Sequence, residues 1–319
     1  MLEIVPLEAR HVEDAARLAC SRYADLRCAI PTLPTRWERV ENLVPRISEC
    51  LGSAPGVAAI EGNRLVGFVA ALLVPDFRGM RTAISLEWGN GARADDRCDV
   101  YEAMYARVSS DWVDAGCLSH LFCCMGYDPA LRDRWNLLGF GMLATDAMRD
   151  LSLPQGRLAD IEVRRADCSD ISAIMGLLHQ LEEHLASSPT FLFRSETDER
   201  QEELAWLSDP ANALWLAYCG DDIVGYLRQG PASNNACTII NDPGTSSITG
   251  AYTVPAFRSR GTATALLGRA ISWAKESGYV RCAVDFEPMN TPARRFWLRH
   301  FDPVAFGVMR RLDDRYAAV

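Results

Sequence analysis

The sequence predicts two tandem α+β domains (α/β in some schemes), each a central mixed, mostly antiparallel sheet flanked by helices. The first observation is length, since 319 residues suit two domains of about 150 each. The second is that one order of predicted strands and helices occurs twice along the chain. The third is a break in regular structure at Pro154 and Gly156. We therefore place the domains at 1–153 and 158–319.

The first copy opens with a strand and two helices and continues into a hairpin. Its apolar periodicity predicts a strand at 2–7, an amphipathic helix near 12–23 and a second helix around 37–51. Apolar runs at 57–60 and 65–70 flank the sequence Glu-Gly-Asn-Arg, which is a turn signal between two strands. This segment is therefore predicted to be a β-hairpin.

The second copy repeats this order. We predict a strand at 161–165, a helix beginning near Ser169 or Asp170, and a hairpin whose strands 214–218 and 223–227 flank a Cys-Gly-Asp-Asp turn. After each hairpin, the pattern continues with a strand, a helix, a strand, a short helix and a terminal strand. Mixed elements in this order indicate a sheet covered by helices.

Composition narrows the class of protein. Hydrophobic residues make up 49% of the chain, and no run approaches the roughly 20 apolar residues of a membrane span. The N-terminal residues 1–7 carry no basic region followed by a long apolar stretch, so we expect a cytoplasmic protein without a membrane partner. A net charge of −9 argues against nucleic acid as a partner.

Cysteine and histidine usage predicts neither disulfides nor a metal. The eleven cysteines are an odd number, include no CxxC pair and lie mostly in apolar contexts, which favours reduced thiols. The five histidines lack metal-ligand spacing. We therefore expect a site without a metal ion.

The most informative segment is a strand-loop-helix junction at 252–267. A predicted strand ends at Val254, Pro255 stops it, and a short loop with Arg258 and Gly261 leads into an amphipathic helix. Unpaired N–H groups and the helix dipole make such a helix start an anion site, and the arginines add positive charge. A diphosphate ligand is the physical inference.

The pattern Arg258-Ser-Arg-Gly261-Thr-Ala263 resembles the acyl-CoA signature of the GNAT acetyltransferase family. Downstream, Val284-Asp-Phe-Glu287 and Asn290-Thr-Pro-Ala293-Arg-Arg-Phe-Trp297 resemble the strand and helix that follow it in that family. The resemblance implies an N-acetyltransferase that uses acetyl-CoA, or another acyl-CoA, and a small-molecule amine. A protein amine as acceptor and a sensor that binds acyl-CoA without turnover are the alternatives.

The resemblance also implies where the cofactor binds. The family's sheet splays between the strand ending near Val254 and the strand at 281–287, and the pantetheine arm lies in that gap. The residues assigned to the cofactor are Tyr252, Thr253, Val254, Arg258, Ser259, Arg260, Gly261, Thr262, Ala263, Thr264, Asn290, Ala293 and Trp297. Asn290 is also interpreted as the N-cap of the short helix.

The reaction needs a base, because an ammonium group has no lone pair with which to attack a thioester. The candidates are Glu287 and Asp285, which we expect on opposite sides of the strand, and Glu287 is preferred because it lies closer to the strand end. Alternatively, both are surface residues or pair with Arg281 and Arg294. A further candidate set for a water relay is Ser246, Ser247, Thr249, Tyr252 and Thr253.

Two further features bear on mechanism. Many family members have a tyrosine at the position of Trp297, where its hydroxyl protonates the leaving thiolate, and tryptophan cannot do so. The general acid is therefore unassigned. The acidic stretch 195–203 is interpreted as a solvated helix face, with attraction of a cationic amine as the alternative.

The first half is predicted to be a degenerate copy without cofactor. Its matching junction at 83–96 contains Gly89 and Gly91 but lacks the arginine-glycine pattern, and Asp95 and Asp96 would repel a pyrophosphate. We expect this half to shape the substrate cleft or the quaternary structure of a monomer or homodimer.

Overall fold

The computed structural model describes residues 1–93, 97–156, 161–193, 199–232 and 236–318. Within them the chain forms fourteen strands and eight α-helices. In chain order these are β1 (Leu2–Pro6), α1 (Val12–Ala29), α2 (Val40–Cys50), β2 (Val57–Glu61), β3 (Arg64–Val69), β4 (Leu72–Phe77), β5 (Met80–Ser85), β6 (Asn90–Ala92), α3 (Arg97–Asp114), β7 (Ser119–Met125), α4 (Pro129–Leu137), β8 (Gly141–Arg149), β9 (Glu162–Arg165), α5 (Ile171–Ala186), α6 (Arg200–Ser208), β10 (Ala213–Cys219), β11 (Asp222–Pro231), β12 (Thr245–Thr253), α7 (Thr262–Glu276), β13 (Arg281–Phe286), α8 (Thr291–His300) and β14 (Asp302–Arg311).

The chain divides into two compact units. The N-terminal unit comprises Met1–Asp146, Cys237–Ile239 and Pro303–Val319, and the C-terminal unit comprises Ala147–Ala236 and Ile240–Asp302. These units are defined by contacts, and each contains segments that are distant in the chain. They therefore do not test the domain boundary at 153 and 158, which stays a prediction. Mixed, mostly antiparallel sheets flanked by helices occur in both, which confirms the predicted fold class.

The N-terminal unit contains two groups of strands. One is a four-stranded sheet in the order β1-β2-β3-β6, and in the other β4, β5, β7 and β14 are consecutive neighbours. β5 and β7 run parallel, with pairs from Thr82–Ser119 to Ser85–Phe122. The core beneath them is rich in buried aromatic rings, which bury large apolar areas. They include Tyr105, Trp112, Phe122, Trp135 and Phe140.

In the C-terminal unit the strands follow the order β13-β12-β11-β10-β9. Two apolar clusters form on it. One contains Leu266 and Ile271 of α7 with Val284 of β13, and the other contains Ile174 of α5 with Tyr226 and Tyr252 of β11 and β12. Since successive strand residues point to opposite faces, these clusters define an α7 face and an α5/α6 face of the sheet.

The two predicted hairpins are confirmed, and they match in detail. β2 and β3 pair from Val57–Val69 to Glu61–Arg64, and β10 and β11 pair from Ala213–Gln229 to Cys219–Asp222. Each hairpin has one extra residue in its second strand, Val66 in β3 and Val224 in β11. Each also has a glycine in its turn, Gly62 and Gly220, with a positive φ that residues with a Cβ rarely adopt. The internal repeat found in the sequence is therefore a repeat of structure.

The terminal strand was not placed by the sequence. β14 belongs to the N-terminal unit, where it pairs antiparallel with β7 from Ala305–Met125 to Arg311–Ser119. Chain order alone does not specify which strand a terminal strand will join. Among the described residues, no helix has the length and apolar character needed to cross a membrane.

Candidate functional site

A gap opens between the two parallel strands β12 and β13. Their ladder runs from Thr245–Arg281 to Ile248–Val284, whereas β12 continues to Thr253. On its other side β12 stays paired with β11 as far as Thr253–Gly225. The backbone edge of residues 249–253 that faces away from β11 is therefore available to a ligand, and the splay implied by the family resemblance is present.

The change in exposure along both strands marks the same opening. Residues 245–248 are buried, but Thr249 is exposed, and in β13 Asp285 is exposed between buried neighbours. Thr249 is also the extra residue of a β-bulge, because Arg228 pairs with Gly250 and Gln229 pairs with Ile248. Bulges occur often beside active sites, where they redirect side chains.

The loop after β12 carries the geometry of an anion site. Gly261 is the N-cap of α7 with φ 98°, a left-handed conformation that favours glycine, and Ser259 has φ 59°. The first helical hydrogen bond runs from the Ala265 N–H to the Gly261 carbonyl. The N–H groups of residues 262–264 precede it and have no partner within the helix, so they are available to an anion.

Arg258 links this loop to the gap. Its Nε donates to the Thr253 carbonyl at 2.9 Å, and its guanidinium lies 5.4 Å from the Tyr252 ring centroid. Arg260 is exposed and lies 5.6 Å from the ring centroid of Phe257. Both positive charges therefore lie within the loop that starts α7.

Asn290 lies beyond the end of β13 and is the N-cap of α8, as predicted. Its Oδ1 accepts from the Ala293 N–H at 3.4 Å, and it also lies 3.4 Å from His184 Nε2 of α5. The His184 and Tyr252 rings are 6.4 Å apart between centroids. His184 is thus next to residues on both sides of the gap, a position that no sequence motif indicated.

Of the other residues assigned to the cofactor, Trp297 and Ala293 lie at the apolar cluster of the α7 face. Trp297 is buried against Phe296 and Phe301, with ring centroids 4.9 and 5.5 Å away, and Ala293 packs at the same cluster. Val254 extends the β12 ladder by donating its N–H to the Val224 carbonyl. Trp297 is thus a core residue of the α7 face.

The expectation that Asp285 and Glu287 lie on opposite sides of the strand is wrong. Side chains two positions apart in a strand point to the same face, so a continued strand would put Asp285 and Glu287 on one side. β13 ends at Phe286, and Glu287 is the first residue after the strand. Although the Asp285 residue is accessible at the surface, the protein atoms around its carboxyl group partly exclude water and raise its pKa, and the nearby charge of Glu287 raises that pKa further. The two carboxyl groups are therefore neighbours.

Each of the two arginines considered as partners for these carboxylates has another contact as well. Arg281 forms an ion pair with Asp242 at 2.9 Å, and Arg294 donates to the Pro288 carbonyl at 2.7 Å. Cys282, Val284 and Phe286 pack on the α7 face, so Asp285 projects from the α5/α6 face. Of the water-relay set, Ser246 and Ser247 are buried, and Ser246 donates to the Arg281 carbonyl.

The acidic stretch is not a uniformly solvated helix face. Residues 195–198 lie outside the described residues, but Glu203 of α6 is buried and forms an ion pair with Arg228 at 3.3 Å. Burial raises the pKa of Glu203, and the Arg228 charge opposes that rise. Sequence periodicity missed this residue because its partner is on a distant strand.

The matching gap of the N-terminal unit is closed by a side chain. Asn90 donates from its amide to the Leu86 carbonyl at 2.8 Å and to the Cys123 carbonyl of β7 at 2.9 Å. The Tyr101 hydroxyl donates to Asn90 Oδ1 at 2.8 Å, which fixes the amide. Asp95 and Asp96 lie outside the described residues.

Buried carboxyl groups also anchor the segment Cys237–Ile239 in this unit. The Ile239 N–H donates to Glu87 at 3.0 Å, and the Cys237 N–H donates to Asp146 at 2.9 Å. Glu87 is fully buried, and the loss of water raises its pKa. The described part of the chain contains no cluster of three or more His, Cys, Asp or Glu that is arranged to hold a metal ion.

Comparison with known proteins agrees with this geometry. Residues 178–302 match the sequence model of the Acetyltransferase (GNAT) family. The fold resembles the GCN5-related N-acetyltransferase of Sphaerobacter thermophilus at 13% identity and a TM-score of 0.56, over 97% of this chain and 95% of that one. No curated protein matches the sequence.

Two further solved structures are similar at lower TM-scores. The GCN5-related N-acetyltransferase from Kribbella flavida is 20% identical with a TM-score of 0.40, over 98% of this chain and 71% of that one. An aminoglycoside acetyltransferase from an uncultured soil metagenomic sample, solved with sisomicin, is 15% identical with a TM-score of 0.35, over 43% of this chain and 84% of that one.

The match of residues 178–302 to a family of acetyltransferases supports an acyltransferase domain in this part of the chain. Residues 178–302 match the GNAT family, and the fold of the chain, including its N-terminal region, is similar to that of a solved GCN5-related N-acetyltransferase.

Proposed function

We propose that the protein transfers an acetyl group from acetyl-CoA to a primary amine of a small molecule, directly within a ternary complex. One observation carries the proposal. The gap beside residues 249–253 leads, through the loop after β12, to the helix start at Gly261. A ligand with an extended arm and a pyrophosphate fits these two adjoining features, one offering a strand edge and the other N–H groups.

The described residues fit such a ligand. The N–H groups of residues 262–264 with Arg258 and Arg260 would hold the pyrophosphate, and the edge at 252–254 would pair with the arm. Asn290 would contact the arm beside the gap, and Ala293 and Trp297 would support the helix behind it. The bound acetyl-CoA, or another acyl-CoA, supplies a thioester as the acyl donor.

Asp285 is the base that we propose for the amine, with Glu287 next to it as the second candidate. Asp285 is exposed at the gap, on the face of the sheet that carries α5 and α6. Its raised pKa makes its carboxylate a better proton acceptor than an ordinary aspartate. Trp297 carries no acidic proton, so the thiolate is protonated by another group or by solvent.

A single acyl-CoA site per chain follows from the difference between the two units. Asn90 closes the gap of the N-terminal unit, and Glu87 and Asp146 of the same unit hold the segment Cys237–Ile239. We therefore propose that the first half has no cofactor and acts as a scaffold.

The test measures binding and turnover separately. Acetyl-CoA is titrated by calorimetry to obtain stoichiometry, and release of free CoA thiol is then followed with a panel of small primary amines. We expect one site per chain and amine-dependent thiol release. Tight binding without thiol release from any amine would instead identify a sensor, and absence of binding would refute both functions.

A further inference from the structure

Arg228 is a partly exposed arginine that the C-terminal unit holds in one orientation. Its guanidinium lies 4.0 Å from the ring centroid of Trp206, and its NH2 lies 3.3 Å from Glu203. Both partners belong to α6, and 24% of the Arg228 side chain is accessible. A guanidinium fixed by stacking and by an ion pair loses little entropy when it binds a ligand.

Several polar atoms around Arg228 are left without a partner. Arg228 Nε, Glu203 Oε1 and the Tyr226 hydroxyl are all buried, and none has a hydrogen-bond partner among the described residues. Buried polar groups in native proteins are nearly always paired, so a cluster of three unsatisfied groups is unusual for a side chain with a purely structural role. A buried ion pair is also weak evidence of stabilisation, because dehydration offsets its attraction.

The position of Arg228 relates it to the gap. It pairs across the ladder with Gly250, which has no side chain, directly after the bulge at Thr249. Tyr226 and Tyr252 mark this face as the α5/α6 face, from which Asp285 also projects. Arg228 and Asp285 therefore lie on one face of the sheet, on strands that flank β12, with the bare Gly250 of β12 between them.

We propose that Arg228 binds a carboxylate on the acceptor, so that the substrate is an amino acid whose amine is at Asp285 and whose carboxylate is at Arg228. The inference rests on the proposed function, since it assigns the acceptor of that same site. A guanidinium matches a carboxylate in shape and charge, and its donors remain available beside the one that Glu203 occupies. Glu203 is a positioning residue that acts through Arg228.

The substrate class is tested with ω-amino acids from glycine to 6-aminohexanoate and with the carboxamide of each. The two members of a pair differ only in the negative charge, and the series reports the spacing between the two ends. Binding is measured by saturation-transfer NMR in the presence of CoA, and acetylation is measured separately. The wild type should favour the carboxylate of the best-fitting length by at least about tenfold.

Variants then assign the preference to Arg228. Arg228→Gln should weaken binding of the carboxylate about 10- to 100-fold and leave that of the carboxamide unchanged, with unaltered acetyl-CoA affinity as the check on folding. Arg228→Lys should keep part of the preference. Glu203→Gln should reduce the ratio of carboxylate to carboxamide affinity, which a purely structural role would not change. Glu202→Gln, an exposed neighbour on α6, is the matched control.

The two failures give different results. Equal affinity of the wild type for acids and amides, or a preference that survives in Arg228→Gln, overturns the assignment of Arg228. A preference that is lost in Arg228→Gln supports it even if no acetylated product forms, and that result would overturn the proposed function alone.

Discussion

Gly261 offers the sharpest test of the cofactor site, through a comparison of two substitutions. With φ 98°, any residue with a Cβ is strained there by about 1–2 kcal/mol, so Gly261→Ala measures the backbone effect alone. Gly261→Asp adds a carboxylate at the N-terminus of α7. Because an aspartate is a favourable N-cap and interacts well with the helix dipole, this variant should fold at least as well as Gly261→Ala.

The added charge should act on the pyrophosphate. Two like unit charges about 5 Å apart repel by about 3 kcal/mol at an effective dielectric constant near 20. Acetyl-CoA should therefore bind Gly261→Asp about 100-fold more weakly than Gly261→Ala. Calorimetric titration gives the affinity of each variant for acetyl-CoA. Raised salt should reduce the difference between the two affinities only partly, because salt screens charges that are in contact with protein less than it screens fully solvated charges.

A second donor separates charge from distortion. Acetylpantetheine lacks the pyrophosphate, so its use as acyl donor should not distinguish Gly261→Asp from Gly261→Ala. Acetyl-CoA affinities that agree within threefold between the two variants would refute a pyrophosphate at α7. If Gly261→Asp also used acetylpantetheine less well than Gly261→Ala does, the aspartate would be distorting the gap rather than repelling the pyrophosphate.

Three further predictions concern acidic residues. Asp285→Asn should lower kcat/KM about 100-fold and remove the rise of kcat/KM with pH that passes through the raised pKa of Asp285, which a pH–rate profile measures. Burial raises the pKa of Glu87 in the folded protein above its ordinary value of 4.5. The free energy of unfolding should therefore fall as pH rises from 4.5 through the folded-state pKa. Urea unfolding at several pH values should show this fall in the wild type and not in Glu87→Gln. Asp95→Ala should leave acetyl-CoA affinity unchanged, and a large loss in calorimetry would contradict the one-site proposal.

Local signals in the sequence predicted the parts of the site that are contiguous in the chain. The Gly-containing turns specified both hairpins, and the run from Pro255 to Ala263 specified the helix start, because turn and cap chemistry depends on neighbouring residues. Asn290 was correctly expected as an N-cap for the same reason.

Features that depend on tertiary pairing were not predictable in this way. β14 joins β7, which precedes it by almost two hundred positions, and strand pattern does not encode that partner. Glu203 occurs in a run of charged residues and would be expected in solvent, but Arg228 on β11 compensates its burial. The burial of Cys237–Ile239 against Glu87 likewise depends on contacts distant in sequence.

Alignment of the two hairpins identifies one residue that distinguishes the open gap from the closed one. Val69 pairs with Asn90 in the N-terminal unit, and the corresponding Leu227 pairs with Ala251 in the C-terminal unit, so Asn90 and Ala251 occupy equivalent positions. The amide at Asn90 bonds across to β7, whereas the methyl group of Ala251 leaves the space between β12 and β13 open.

Ala251→Asn should therefore close the functional gap. The new amide can donate to a carbonyl of β13, as Asn90 does to Cys123, and in that position it occupies the space of the thioester arm. We expect calorimetric binding of acetyl-CoA to be lost while thermal stability is retained, with Ala251→Ser, which is too short to bridge the strands, as the control. The reverse change, Asn90→Ala, should not create a second site, because the first half lacks the arginine-glycine loop and its Glu87 and Asp146 still hold the segment Cys237–Ile239. Undiminished binding to Ala251→Asn would show that the arm does not pass between β12 and β13.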